Sequence, residues 1–280
     1  MQWMAFVFPV LYAVFLWWFT TGLIIVVYDR SRWLTQLCYA GMTVGMMLAV
    51  LAFVATRNMT DMNAILIALT CGVVIWGWQV AGYYLNFVTG ESADMTDDNQ
   101  LSLRHRFWLA LNSGIYHELM ALVFAIGMII LTWSSPNKWG MWVYVALWLM
   151  HASAKLNVFF GVRNFHIEFL PQHLHHIERL LEHRQYNAFF PFSVVVASSV
   201  VLVLFFRAVY PPIVETQSAG YLAIATLIAL GILEHLLLVL PVPSTLYGWG
   251  MRALPKTPDK QGDTTHKVDV VSQSVKGQIP

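Results

Sequence analysis

The sequence predicts an all-α membrane protein, a polytopic bundle of about seven transmembrane helices. Hydrophobic residues make up 58% of the 280-residue chain, charged residues only 11%, and the mean hydropathy is +0.60. Because a typical soluble domain has about 25% charged residues, this composition excludes an ordinary water-soluble fold. An α-helix needs about 20 mostly apolar residues to cross a bilayer. Runs of that kind occupy residues 5–28, 34–56, 62–88, 107–133, 140–162, 191–210 and 219–240.

The two ends of the chain lead to different expectations. The first apolar run has no basic residue before it and is longer than the core of a secretory signal. We therefore expect it to be a retained helix rather than a cleaved signal peptide. Residues 251–280 are rich in polar residues and proline and contain few large apolar ones. They predict a disordered cytoplasmic tail that follows a transmembrane helical domain over residues 1–250.

Basic residues are distributed unevenly between the predicted loops, and this asymmetry predicts the orientation. One side carries Arg30, Arg32, Arg104, Arg106, Arg163, Arg179, Arg184, Arg252, Lys256, Lys260, Lys267 and Lys276. The other side carries Arg57, Lys138 and Arg207. The positive-inside rule places the N-terminus outside and the C-terminus in the cytoplasm. The net charge of +1 gives no indication of nucleic-acid binding.

Ionisable residues stand out inside the apolar runs, where a charged side chain costs about 2.5–3.5 kcal/mol at the middle of a helix. They form three groups, namely His117 with Glu118, His151 with Lys155, and Glu234 with His235. In the predicted orientation all three groups fall in the cytoplasmic half of the bundle. The spacing therefore allows them to meet at a single site.

The connection between the fifth and sixth runs is rich in histidine and glutamate. Leu174, Ile177 and Leu181 form an apolar stripe, which predicts a short amphipathic cytoplasmic helix over residues 172–185, after Pro171. The ionisable residues of this connection are His166, Glu168, His173, His175, His176, Glu178, Glu182 and His183. We expect the segment to pack against the bundle as a cytoplasmic lid.

One hypothesis for these groups is a metal centre, because imidazole and carboxylate together suit iron, zinc or manganese. Several histidines and glutamates inside a helical bundle form the ligand set of a two-iron oxygen-activating centre. The candidate ligands are His117, Glu118, Glu168, His173, Glu234 and His235, followed by His151, His166 and His176. Tyr116, Asn112 and Lys155 would orient them. Neither the Glu-x-x-His repeat of ferritin-like bundles nor the spacing of membrane desaturase boxes is present.

Two other interpretations stay open. In the structural interpretation, His151 makes a hydrogen bond between helices, and Lys155 neutralises a buried carboxylate such as that of Glu118. In the other, His117, His151 or His235 is an axial ligand to a tetrapyrrole, either the magnesium of a chlorophyll or a haem iron. The adjacent carboxylates argue against this as their main purpose, because a pigment needs only one neutral donor.

Several segments resemble a family of membrane proteins from purple phototrophic bacteria. The most specific are Ser153–Asn164 and Glu168–Leu174, and the others are Tyr116–Leu119, Pro191–Val194, Glu234–His235 and Leu238–Pro243. The family is the photosynthetic complex assembly proteins called PuhE, encoded near the reaction-centre H subunit. The resemblance runs from about the third helix to residue 250. His166, His175, His176 and His183 depart from the family pattern.

The resemblance implies a role in bacteriochlorophyll and photosynthetic complex biogenesis, in the bacterial cytoplasmic (inner or intracytoplasmic) membrane. Combined with the metal hypothesis, it predicts an oxygen-dependent oxidoreductase acting on a bacteriochlorophyll precursor. The candidate step is oxidative cyclisation of magnesium-protoporphyrin IX monomethyl ester, with Glu118, Glu234 and Lys155 as catalytic residues and an electron-donor protein as partner. The alternative is a non-catalytic assembly or pigment-delivery factor, with His151 binding the pigment. Its partners would be reaction-centre or light-harvesting subunits.

Overall fold

The computed structural model describes residues 2–27, 30–89, 101–164, 172–182, 184–210 and 215–240. All regular secondary structure in these ranges is helical. The helices are α1 (Gln2–Val27), α2 (Arg32–Thr56), α3 (Met62–Tyr84), α4 (Leu103–Asn112), α5 (Ile115–Thr132), α6 (Trp139–Phe160), a 3₁₀ helix (Gln172–Leu180), α7 (Phe189–Val209) and α8 (Glu215–Val239). Seven of them, all except α4 and the 3₁₀ helix, are long and apolar enough to cross a membrane. The predicted class, a polytopic helical membrane bundle, is confirmed.

The bundle is built around α3, which packs against α1, α2, α5, α6 and α8. Alanine and glycine allow the closest of these approaches. A Cβ atom on Gly72 would collide with the carbonyl oxygen of Gly140, and one on Gly140 would collide with that of Ala68. Small residues at such crossings bring two backbones close together, which is how helices associate in lipid. The outer faces of α2, α5 and α7 expose large apolar side chains, as expected for surfaces that face lipid.

The predicted fourth span, residues 107–133, is wrong as a single helix. The chain forms the short helix α4, turns at Ser113 and Gly114, and begins α5 at Ile115. The Ser113 hydroxyl donates to the carbonyl of Ala110 at 2.7 Å, and Gly114 occupies a non-helical conformation. Serine and glycine favour such turns. His117 and Glu118 therefore lie in the first turn of α5, where the helix dipole favours the Glu118 carboxylate.

Buried asparagines satisfy backbone carbonyls where the helices end. The Asn137 amide donates to a carbonyl at the end of α2 and to one at the start of α3, at 3.1 and 3.2 Å. The Asn187 amide donates to the carbonyls of Asn157 and Gly161 at 3.0 and 2.8 Å. Backbone groups without partners are costly in an apolar environment. These two side chains therefore stabilise the ends of α2, α3 and α6.

The predicted lid helix is a 3₁₀ helix in the structure, and it packs beside α4. Leu174, Leu180 and Leu181 are buried, so the apolar side of the segment faces the protein as predicted. Arg106 of α4 holds the segment, because its guanidinium pairs with Glu182 at 2.6 Å and donates to the carbonyl of Leu180 at 3.2 Å. His166, Glu168, Pro171, His183 and the predicted tail at 251–280 lie outside the described residues, so the proposed domain division stays a prediction.

Candidate functional site: an intramembrane cavity

A cavity of about 830 Å³ lies between the C-terminal halves of α1, α3, α6 and α8. Helix α4, the start of α5 and the 3₁₀ helix complete its wall. The loop charges predict that this end of the bundle is cytoplasmic. Most lining residues are apolar, and the polar ones include Glu118, His151, Lys155 and Glu234. A large apolar pocket with a few convergent polar groups is the usual form of a small-molecule site.

Glu118 and Lys155 form an ion pair at one side of the cavity. The Lys155 ammonium lies 2.8 Å from Oε1 of Glu118, and the Trp148 indole donates to Oε2 at 3.1 Å. The same ammonium lies 4.4 Å from the centre of the Tyr83 ring, a cation–π contact. Because Glu118 accepts from both neighbours, its carboxylate is satisfied within the protein. This is the ion pair expected from the structural interpretation of the sequence.

Glu234 and His235 are adjacent in sequence but face different surroundings. Glu234 lines the cavity and is hydrogen-bonded to the side chain of Trp17. His235 is 2% exposed. Its Nδ1 donates to the carbonyl of Gly231, one turn earlier in α8, at 2.7 Å, and its Nε2 accepts from the hydroxyl of Ser153 in α6 at 3.0 Å. Both ring nitrogens of His235 are therefore engaged, and the bond to Ser153 joins α8 to α6.

His117 and His151 form a pair between α5 and α6, with ring centres 5.7 Å apart. Trp76 packs edge-on against both, at 5.8 and 5.4 Å. His117 is fully buried, and neither of its ring nitrogens makes a hydrogen bond of normal geometry. Nε2 of His151 is also buried without a partner, although the residue lines the cavity. Buried polar atoms are nearly always satisfied, so the unpaired Nε2 of His151, the residue of this pair that lines the cavity, is the candidate position for a ligand.

The cavity thus brings together Glu118, His151, Lys155 and Glu234, while His117 lies behind it and His235 faces away. In the described part of the chain, no three histidine, cysteine, aspartate or glutamate side chains converge in a way that could hold a metal. Two candidate ligands, His166 and Glu168, are outside the described residues. The two-iron centre therefore stays a prediction.

One histidine of the 3₁₀ helix, His173, links it to the bundle, whereas His176 bonds within the 3₁₀ helix. Nε2 of His173 bonds the carbonyl of Tyr83 at 3.3 Å, and Nδ1 of His176 bonds the carbonyl of His173 at 2.8 Å. Burial lowers the pKa of His173, the neighbouring His176 and His175 lower it further, and the bond to Tyr83 raises it. His173 is therefore held neutral where the 3₁₀ helix meets α3.

Acidification is expected to loosen the 3₁₀ helix. Because the pKa of His173 is lower in the folded state, its contribution to stability is complete above the unfolded value of about 6.5 and is lost as the pH falls below it. Hydrogen exchange of residues 172–182, corrected for intrinsic rates, should increase between about pH 7.5 and about pH 5.5. The variant His173→Gln, which keeps a donor for Tyr83, should reduce this pH dependence. Equal exchange at both pH values would contradict the assignment.

Sequence reasoning missed polar and aromatic residues that shape the site. Gln79 is fully buried in α3, and its Oε1 accepts a hydrogen bond of 2.6 Å from the Tyr144 hydroxyl. Tyr83 and Trp76 contact the paired cation and the two histidines. A single glutamine in an apolar span could have indicated the position of Gln79. The aromatic residues are not distinguishable in sequence from the many others in this chain.

The fold and the site define a multi-pass helical membrane protein with a mostly apolar cavity between its spans. The chain belongs to a family described as protein of unknown function (DUF3623), whose model matches residues 3–258. It is 28% identical over 276 residues to an uncharacterized 30.4 kDa protein in the puhA 5′ region of Rhodobacter capsulatus, a match covering 95% of each chain. No solved structure matches the chain.

Proposed function

We propose that the protein binds a metal-containing tetrapyrrole inside the membrane and serves the biogenesis of photosynthetic pigment–protein complexes. The observation that carries the proposal is the 830 Å³ apolar cavity with His151 in its wall. Small-molecule pockets measure about 300–1,000 Å³, and this one is at the large end of that range. It is therefore suited to a bulky, mostly apolar ligand.

His151 supplies the donor that such a ligand needs. The central metal of a tetrapyrrole takes a single neutral imidazole as axial ligand. Nε2 of His151 has no partner in the protein, in contrast to the ring nitrogens of His235. In this proposal His151 binds the metal, and the aromatic rings of Trp76 and Tyr83 pack against the macrocycle. The protein provides binding, orientation and exclusion of water.

The comparisons support the pathway in general terms. The related protein of Rhodobacter capsulatus is described as lying in the puhA 5′ region. The sequence resemblance independently implies a gene near the reaction-centre H subunit. Together these observations support a photosynthesis-related role, and the PuhE assignment stays a prediction.

The arrangement of the carboxylates favours binding over the predicted oxidative cyclisation. That reaction, as predicted, needs Glu118 and Glu234 as ligands of two irons. Glu118 is instead engaged by Lys155 and Trp148. We therefore prefer the pigment-binding and assembly role to the oxidoreductase, and metal analysis of the purified protein tests the iron prediction separately.

Titration with zinc protoporphyrin dimethyl ester tests the proposal. The protein is placed in lipid nanodiscs, and the absorption shift caused by axial ligation is recorded. Loss of a coordinating imidazole in His151→Leu should weaken binding by on the order of 10- to 100-fold. His105→Leu is the matched control, because His105 is exposed on α4 and does not line the cavity. Equal binding by the two variants would contradict the role of His151, and no binding by the unmodified protein would contradict the proposed function.

A further inference from the structure

The charged residues of the cavity wall determine which kind of tetrapyrrole the cavity can hold. Resting on the proposed function, we infer that the site selects an uncharged tetrapyrrole, whose carboxyl groups are esterified, over one with free carboxylates. The distinction is chemical, because free side-chain acids make a tetrapyrrole anionic and their esters make it neutral.

The described cavity wall offers no free cation. Among its lysine, arginine, aspartate and glutamate residues are one base, Lys155, and two acids, Glu118 and Glu234. The ammonium of Lys155 is already paired with Glu118 at 2.8 Å and lies over the ring of Tyr83. An incoming carboxylate would therefore have to displace Glu118 from its own partner.

Glu234 makes the entry of an anion less favourable still. Its carboxyl group lines the same cavity, and the partner recorded for it is the neutral side chain of Trp17. When ionised, Glu234 repels an incoming carboxylate, and when protonated it still offers that carboxylate no positive charge, so the ligand loses its hydration without gaining a cation. A ligand with two free carboxylates would therefore be disfavoured both by charge repulsion and by the loss of its hydration.

A neutral ester suits the same wall without rearrangement. An ammonium group has three hydrogens, and Lys155 uses one of them for Glu118. A second can reach a neutral ester or ketone oxygen, which adds a hydrogen bond but no charge. Most of the rest of the wall is apolar and accepts the alkyl part of an ester. The geometry therefore favours a neutral, carbonyl-bearing ligand.

Paired titrations test this inference with zinc protoporphyrin IX and its dimethyl ester, which share the same ring and metal. Each is added to the protein in zwitterionic nanodiscs, and protein-free nanodiscs correct for partitioning into lipid. Binding is read from quenching of tryptophan emission, because Trp17 and Trp76 line the cavity. We expect the diester to bind at least about tenfold more tightly than the free acid.

A substitution of Glu234 tests whether the preference for the diester arises from the cavity wall. Glu234→Gln removes the ionisable carboxyl group from the wall and should reduce the preference for the diester. Glu178→Gln makes the same change at an exposed position of the 3₁₀ helix outside the cavity and should keep it. Equal or tighter binding of the free acid, or the same loss of preference in both variants, overturns the inference while the proposed function stands. If neither compound binds, the proposed function is wrong and the inference falls with it.

Discussion

Replacing Lys155 with methionine is expected to destabilise the folded protein by about 3 kcal/mol, and the double change Glu118→Gln with Lys155→Met is expected to restore most of that loss. Removing one partner of a buried ion pair typically costs about 3–5 kcal/mol, because the remaining charge is left without compensation. We place this pair at the lower end because Lys155 and Glu118 remain 33% and 22% exposed, toward the cavity. Methionine keeps the length of the side chain, so the charge is the main change.

Reversible unfolding of the single and double variants in detergent measures the coupling between the two residues. Lys138→Met is the matched control, because Lys138 is half-buried and its ammonium donates to a neutral backbone carbonyl, that of Trp133, at 3.0 Å. We expect this control to change stability by less than about 1 kcal/mol. Additive losses in the double variant would show that Glu118 and Lys155 do not act as a pair, and Glu118 would return to the set of candidate metal ligands.

Substitution of Gly140 by alanine is expected to disrupt the contact between α3 and α6. The new Cβ atom would collide with the carbonyl oxygen of Ala68 and lie 3.0 Å from the ring of Phe53. Two packed backbones would have to separate to accept it, and overpacking of this kind typically costs about 1–3 kcal/mol or more. Because α3 lies at the centre of the bundle, the separation would also disturb its contacts with neighbouring spans.

Gly45→Ala provides the matched control for this prediction. Gly45 lies in the apolar helix α2, and a Cβ atom there would have no neighbour within 4 Å. The midpoint of thermal unfolding should fall for Gly140→Ala and stay the same or rise slightly for Gly45→Ala, since alanine is the better helix former. Similar midpoints for the two variants would mean that α3 and α6 do not approach as closely as described.

The spans were predictable because each is a long apolar run bounded by polar residues, and lipid leaves few alternatives to a helix. The break between α4 and α5 was not predicted, although Ser113 and Gly114 are residues that favour turns. Their effect was hidden because apolar residues continue on both sides. Gly114 leaves room at this break for the side chains of Tyr83 and Lys155. Such a contact between distant parts of the chain cannot be predicted from the sequence of one segment.

Four of the candidate residues, Glu118, His151, Lys155 and Glu234, meet at the cavity, but the directions of the candidate side chains could not be predicted. Neighbours on a helix point about 100° apart, and here Glu234 lines the cavity while His235 bonds Ser153 of α6. Membrane helices are apolar on most of their circumference, and periodicity therefore does not show which side faces inward. The pairing of Lys155 with Glu118 was among the expected alternatives, whereas the engagement of His235 with Ser153 required the relative rotation of α6 and α8.

Because α1 packs against α8, the cavity can form only after both helices have been synthesised. Trp17 in the first span and Glu234 in the last meet across its wall, although they belong to opposite ends of the chain. Membrane proteins are made from the N-terminus onward, so the earlier spans are in the bilayer before α8 arrives. The cavity is complete only after α8 has been synthesised and inserted. A chain that is terminated before α8 would lack one wall of this cavity.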